Sequence, residues 1–180
     1  MLFRSRVLDI GCNTGHFSML AAKSGASVVA IDSDPAVVGE VWCRARAEGL
    51  DILPLVVSLA RPSPAIGWRN GEYPSFLDRA RGSFDAVLLL AVLHHVLVTD
   101  GIPLPAIMDL AAELTTGICV TEFVGPGDPM FRLLLRGRES LYEELGTPVF
   151  EAACRRRFEV IGSRRLGNGE RWLYLLGKKK

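Results

Sequence analysis

The chain has 180 residues and a formal charge of +1, with 21 Lys and Arg set against 20 Asp and Glu. That length suits one domain around one core, and the near cancellation of charge leaves no long-range pull on nucleic acid or an anionic membrane. Apolar residues at 49% and charged residues at 23% exclude a disordered or collagen-like chain.

Met1-Leu2-Phe3-Arg4-Ser5 is what a common sequencing adaptor spells when translated, so residues 1–5 read as a non-native scar and residues 6–180 as a single domain whose frame is shortened at its N-terminus. Arg6 to Ile10 is an apolar strand ending at Gly11, and Gly15 to Ser24 carries helical spacing through Phe17, Leu20 and Ala21. Ser27 to Ile31 is a β-branched strand ending at Asp32, and Asp34-Pro35 opens a helix that runs to about Glu48 and stops at Gly49. Leu53 to Leu59 reads as a third strand, followed by a Pro-rich loop, Arg61 to Gly71, and a short helix near Ser75 to Arg81. Phe84 to Leu90 has the continuous apolar pattern of a strand buried on both faces. Pro105 to Leu114 is an amphipathic helix and Ile118 to Phe123 a fifth strand. After a helical stretch, Val149 to Arg156, the strands Phe158 to Ser163 and Arg171 to Leu176 flank the turn Leu166-Gly167-Asn168-Gly169, too close together for anything but antiparallel pairing. Lys178 to Lys180 reads as a solvated tail. The expected class is α/β, a Rossmann-like and mostly parallel sheet with an antiparallel terminal hairpin.

Cys12, Cys43, Cys119 and Cys154 form no C-x-x-C pair, which argues against a zinc ribbon or redox dithiol and for a reducing, cytoplasmic setting. The longest run without Asp, Glu, Lys or Arg, Ala86 to Thr99, is too short for a membrane span.

The strongest constellation is Val7-Leu8-Asp9-Ile10-Gly11-Cys12-Asn13-Thr14-Gly15-His16-Phe17, a strand, a glycine-bracketed loop and a helix start. Gly11 and Gly15 allow close approach of a ligand to backbone, and Asp9 offers an acceptor at the strand end. A dinucleotide site would want G-x-G-x-x-G without that carboxylate. A carboxylate two residues before the loop suits the ammonium and sulfonium of S-adenosyl-L-methionine. Asp32, 21 residues after Gly11 at the end of the second strand, can take both ribose hydroxyls.

With the D-x-G-x-x-x-G loop, the acidic end of strand two, Phe84-Asp85 leading into strand four and the reversed terminal hairpin, the chain resembles the class I S-adenosylmethionine-dependent methyltransferases over nearly its whole length. Pro62-x-Pro64-x-x-Gly67-Trp68, Leu93-His94-His95 with Ile102-Pro103-Leu104, and Glu122-Phe123-Val124 with Asp128-Pro129-Met130-Phe131 are similar to a subgroup labelled nodulation-protein-like methyltransferases. The resemblance implies a seven-stranded sheet with the last strand reversed and the cofactor across the carboxyl ends of the strands. It adds Cys12, Asn13, Ser33 and Leu90 to the cofactor positions Asp9, Gly11, Gly15 and Asp32, although Cys12 and His16 also read as packing residues of the loop. Where the superfamily often has an acid after strand three, this chain has Ser58 and Leu59, so the adenine contact falls to backbone and to apolar neighbours.

The resemblance also puts His94 and His95 where residues face the acceptor, and a neutral imidazole there suits proton removal from a hydroxyl. Helix capping or a core hydrogen bond is the plainer role. Glu122 at the same rim can orient the acceptor or pair with an Arg, and Arg132, Arg136 and Arg138 can read an anion. Trp68 and Tyr73 can stack on an acceptor or pin their loop. No third ligand beside the two His suggests a metal. The reading is methyl transfer to a small-molecule acceptor, a glycan or secondary-metabolite hydroxyl. RNA is the second acceptor class, weakened by the balanced charge and the missing Asn/Asp-Pro-Pro-aromatic motif, and a cofactor-binding but inactive partner protein is a different class again. Oligomeric state and the choice of O, N or C stay open.

Overall fold

The computed structural model describes residues 4–167 and 169–180, so Met1 to Phe3 of the proposed scar and Asn168 of the terminal turn lie outside the described residues. Seven strands form one sheet in the order β3-β2-β1-β4-β5-β7-β6. In chain order they are β1 (Arg6–Ile10), β2 (Ser27–Asp32), β3 (Ile52–Val56), β4 (Phe84–Leu89), β5 (Thr115–Val124), β6 (Phe158–Arg165) and β7 (Arg171–Lys178). The helices are α1 (His16–Lys23), α2 (Pro35–Glu48), α3 (Phe76–Ala80), α4 (Leu93–Val98), α5 (Leu104–Leu114), α6 (Pro129–Leu135) and α7 (Thr147–Cys154). The chain divides into two compact units, one running to Leu88 and including Glu113–Gly117, the other made of Leu89–Ala112 and Ile118–Lys180.

In the first unit β1 pairs in parallel with β2 and with β4, and β2 with β3. Helix boundaries follow from side-chain chemistry. Asp34 accepts the Ala36 N–H at 2.8 Å with Pro35 as the first helical residue, and α2 ends on Gly49 in the left-handed region. Ser75 and Asp78 form a reciprocal capping box at α3. Under the sheet Val7, Ala22, Val28, Ala30 and Val41 make one apolar cluster.

Two expectations need correction here. The third strand covers Ile52–Val56 rather than Leu53 to Leu59, because the Ser58 hydroxyl accepts the Arg61 N–H at 3.2 Å and turns the chain away. Pro54 is tolerated because β3 is the last strand on its side of the sheet. The fourth strand ends at Leu89 and is not buried along both faces: Asp85 is exposed at its start, where its carboxylate accepts the Arg6 N–H.

In the second unit β7 runs antiparallel to both β5 and β6, with a bulge between Val160 and Gly162. Its core holds Phe131, Phe150, Phe158, Tyr174 and Leu176, and the Phe150 ring lies 4.8 Å from both Phe123 and Tyr174. The fifth strand spans ten residues, longer than Ile118 to Phe123. Helices α4 and α6, absent from the sequence reading, span six and seven residues, too few to display amphipathic periodicity. Lys178 belongs to β7 and Lys179 Nζ donates to the Arg155 carbonyl, so the expected tail is partly pinned. Among the described residues no helix is long and apolar enough to cross a membrane.

Candidate active site

The loop between β1 and α1 is built from backbone. The N–H groups of Gly11 and Cys12 both donate to the Ile31 carbonyl, at 2.8 and 3.0 Å. Asn13 takes a left-handed φ of 48° and its N–H donates to Asp32 Oδ2 at 2.9 Å, while Asp34 N–H donates to Oδ1 at 3.0 Å. Each Asp32 oxygen therefore spends one acceptor site on backbone and keeps another for a ligand hydroxyl. The Val57 N–H donates to the Asp32 carbonyl, which brings the segment carrying Ser58 and Leu59 beside the same strand end; Ser33 is exposed between the two aspartates.

Gly15 opens α1 at φ 79°, and a Cβ there would stand 2.8 Å from Val41 Cγ2 of α2. Arg44, also on α2, donates to the Thr14 carbonyl at 2.6 Å. The sequence reading missed this second tether; its signal was a cation one turn before the helix end.

Asp9 is more enclosed than a strand-end acceptor was expected to be. It is 2% exposed, and the Ser18 hydroxyl of α1 donates to its Oδ2 at 2.5 Å. Burial raises its carboxyl above the usual range, opposed by the Ser18 hydrogen bond and reinforced by Asp32. Ser18, fully buried, was missed because a polar residue inside a helical pattern reads as ordinary surface. Cys12 packs inward, its thiol pushed up to about 12 by burial and then by Asp9 and Asp32, which leaves it no thiolate at neutral pH.

The second unit holds the other predicted residues. Leu90 is half-buried just before Ala91, whose φ of 55° is left-handed. His94 and His95 lie on α4 with ring centroids 4.3 Å apart, one turned in and the other exposed. His94 is 3% exposed and its Nδ1 has no hydrogen-bond partner among the described residues. Its pKa falls to about 4, chiefly by burial, then through His95 and Arg171, with Asp128 opposing. An imidazole so depressed is a weak base.

Glu122 has the arginine partner allowed for it. Arg171 Nη1 lies 3.2 Å from its Oε1, and the same guanidinium donates to Asp128 at 2.7 and 3.3 Å. Asp128 also caps α6 through the Met130 and Phe131 N–H groups, and Arg171 first of all holds its carboxyl below the usual range. Arg171 was missed since nothing local marks it; its place comes from the strand register with Val124. Arg138 donates to the carbonyls of Leu135, Val98 and Leu134, so it serves structure, and Trp68 is 79% exposed.

Against known proteins, the family described as "Methyltransferase domain" matches residues 3–125. The chain belongs to that family. This methyltransferase-domain chain is 31% identical over 169 residues to nodulation protein NoeA of Rhizobium meliloti (strain 1021), covering 93% of the chain and 35% of the relative. It is 28% identical over 127 residues to the O-antigen chain terminator bifunctional methyltransferase/kinase WbdD of Escherichia coli, covering 69% of the chain and 16% of the relative. The methyltransferase chain thus spans about a third and a sixth of these two proteins. Its fold matches the crystal structure of magnesium protoporphyrin IX methyltransferase from Synechocystis PCC 6803 with bound SAH at a TM-score of 0.68 and 18% identity, covering 98% of this chain and 74% of that one. The sheet order and the reversed β7 agree with the class I methyltransferase fold expected from the sequence.

Proposed function

We propose that the chain is an S-adenosyl-L-methionine-dependent methyltransferase that methylates a hydroxyl of a small-molecule acceptor, a glycan or secondary metabolite. The observation that carries this reading is the tie between the β1 loop and Asp32, a carboxylate held by Asn13 and Asp34 with acceptor capacity to spare. The residues fit the cofactor: a backbone loop opened by Gly11 and Gly15, a diol acceptor in Asp32, and a buried carboxyl, Asp9, at the strand end. When bound, S-adenosylmethionine supplies an electrophilic methyl on a positively charged sulfur.

Asp32 then takes the ribose hydroxyls, the loop backbone lies against the ligand, and Ser18 fixes the Asp9 carboxyl. Of the two histidines, His95 is the proton acceptor in this reading, since it is exposed while burial makes His94 a poor base. His94 and Glu122 act as positioning residues, Glu122 through Arg171. Alignment of acceptor and donor supplies most of the rate. Two relatives support the choice of acceptor and donor: WbdD is described as an O-antigen chain terminator, and the protoporphyrin methyltransferase holds SAH. The charge of +1 keeps RNA behind a small molecule.

Calorimetric titration with S-adenosylhomocysteine tests the reading, with NADH as the control ligand. Micromolar binding weakened at least about tenfold by Asp32→Ala is expected, from the loss of a charged acceptor of two hydroxyls. Binding of NADH in preference to S-adenosylhomocysteine would overturn it. His95→Ala is expected to lower kcat while leaving the S-adenosylhomocysteine affinity intact; an unchanged kcat removes the proton-acceptor role.

A further inference from the structure

One cleft in the second unit is used by none of the residues discussed so far as catalytic. It has a volume of about 610 Å³ and is walled by the end of β5, the loop after it, α6, the segment before α7, the end of β6 and the start of β7. That size falls among small-molecule sites. The cleft is stitched together rather than loose: Gly127 N–H donates to Glu170 Oε2 and Gly125 N–H to the Glu170 carbonyl, each at 2.7 Å, and a Cβ at Gly127 would collide with the Glu170 carboxylate. The loop floor is therefore bare backbone held against Glu170, the residue before β7.

Its lining has a specific chemistry. Trp172 gives one half-buried indole, and around it stand two cations, Arg132 and Arg165, and two anions, Glu143 and Glu170. The charges cancel, so the cleft has no preference for an anion or a cation. Among the described residues the side chains of Arg132 and Glu143 make no hydrogen bond or ion pair, so a donor fork and a carboxylate acceptor are both available to a ligand. An aromatic face beside planar, opposite-signed groups suits a neutral ring that is apolar on one face and bears hydroxyls at its edge. A flat phenol would stack on the indole yet leave most of these polar groups unmatched.

We infer that this cleft binds a neutral pyranose, stacked on Trp172 with its hydroxyls on Arg132 and Glu143; this sugar site does not rest on the methyl-transfer reading above. The probes are methyl glucoside, methyl mannoside, methyl galactoside and N-acetylglucosamine, with catechol and glucose 6-phosphate as a planar and an anionic comparison, followed by saturation-transfer NMR and tryptophan fluorescence. At least one neutral pyranoside is expected to bind at millimolar concentration, weakened about tenfold or more by Trp172→Ala and by Arg132→Met. Trp42→Phe, on α2, should leave the response intact. Glu143→Gln, in an exposed segment, keeps the test valid if the Trp172 variant does not fold. The inference fails if no neutral pyranoside binds, if catechol or the phosphate ester binds tighter than every neutral pyranoside, or if the folded variants bind unchanged. S-adenosylhomocysteine titration of the same preparation separates the outcomes: donor binding without sugar binding sinks the cleft alone, and Trp172-dependent sugar binding without donor binding sinks the methyl-transfer reading alone.

Discussion

Gly15 shows how tightly one position in the loop is specified. Its φ of 79° suits glycine, and an added methyl would meet buried Val41 at 2.8 Å. Left-handed strain and overpacking together put the cost of Gly15→Ala at about 2–4 kcal/mol. Urea unfolding should show a lower midpoint with an unchanged slope; a midpoint equal to that of the parent would mean that α2 gives way freely. His94 titrates in a direction fixed by its burial. Its folded pKa of about 4 lies below the ordinary 6.5, so the unfolded chain binds the extra proton. Its contribution to stability is full above about pH 6.5 and is lost as pH falls toward about 4. Replacing it by Phe should flatten the melting temperature across that window, and a curve that keeps its slope would assign the loss to other groups. That a histidine pair lies after strand four was legible; which ring turns inward was not, because one helical residue step decides it.

Among the elements, α6 is fastened by a clasp that no local sequence rule reveals. Asp128 caps the helix and Arg171 of β7 joins it to Glu122 of β5. Arg171→Met leaves two carboxylates, Glu122 and Asp128, without their cation, and a loss of about 1–3 kcal/mol is expected, since the arginine is 32% exposed and the pair is partly screened by solvent. Since Asp128 is held below the ordinary carboxylate value of 3.8, its share of that stability is present above that pH and disappears as acid protonates it. Asp128→Asn should therefore shrink the acid limb of a denaturation profile below about pH 4; if the limb is unaltered, the clasp is not what acid breaks. The starts of α2 at Asp34-Pro35 and of α3 near Ser75 were open to reading, and both helices came out within a residue or two. α4 and α6 were not, although α6 has an Asp-Pro start like that of α2, as six or seven residues are too few to display a helical period.

Across the molecule the sheet order makes β3 and β6 the two edges. Amides of Leu8 in β1 and Val87 in β4, both fully buried, should exchange at least about a hundredfold more slowly than Leu53 on β3. Equal rates would show that the edge is no weaker than the middle. β6 adds a second weak margin, exposed over most of its length beyond Phe158. What the sequence determined by itself was the alternation of strands and helices, the reversed hairpin, and the glycine loop with Asp9 on its strand and Asp32 at the end of the next. Those features are written in neighbouring residues, where glycine, a β-branched run or a strand-end acid acts within a few positions. Tertiary structure alone decided that Ser18 holds Asp9, that Val41 closes on Gly15, that Arg171 claims Glu122 and Asp128, and that Arg132, Glu143 and Trp172 line one cleft. Each of those joins residues brought together only by helix packing or strand register, and neither leaves a trace in the local order of the chain.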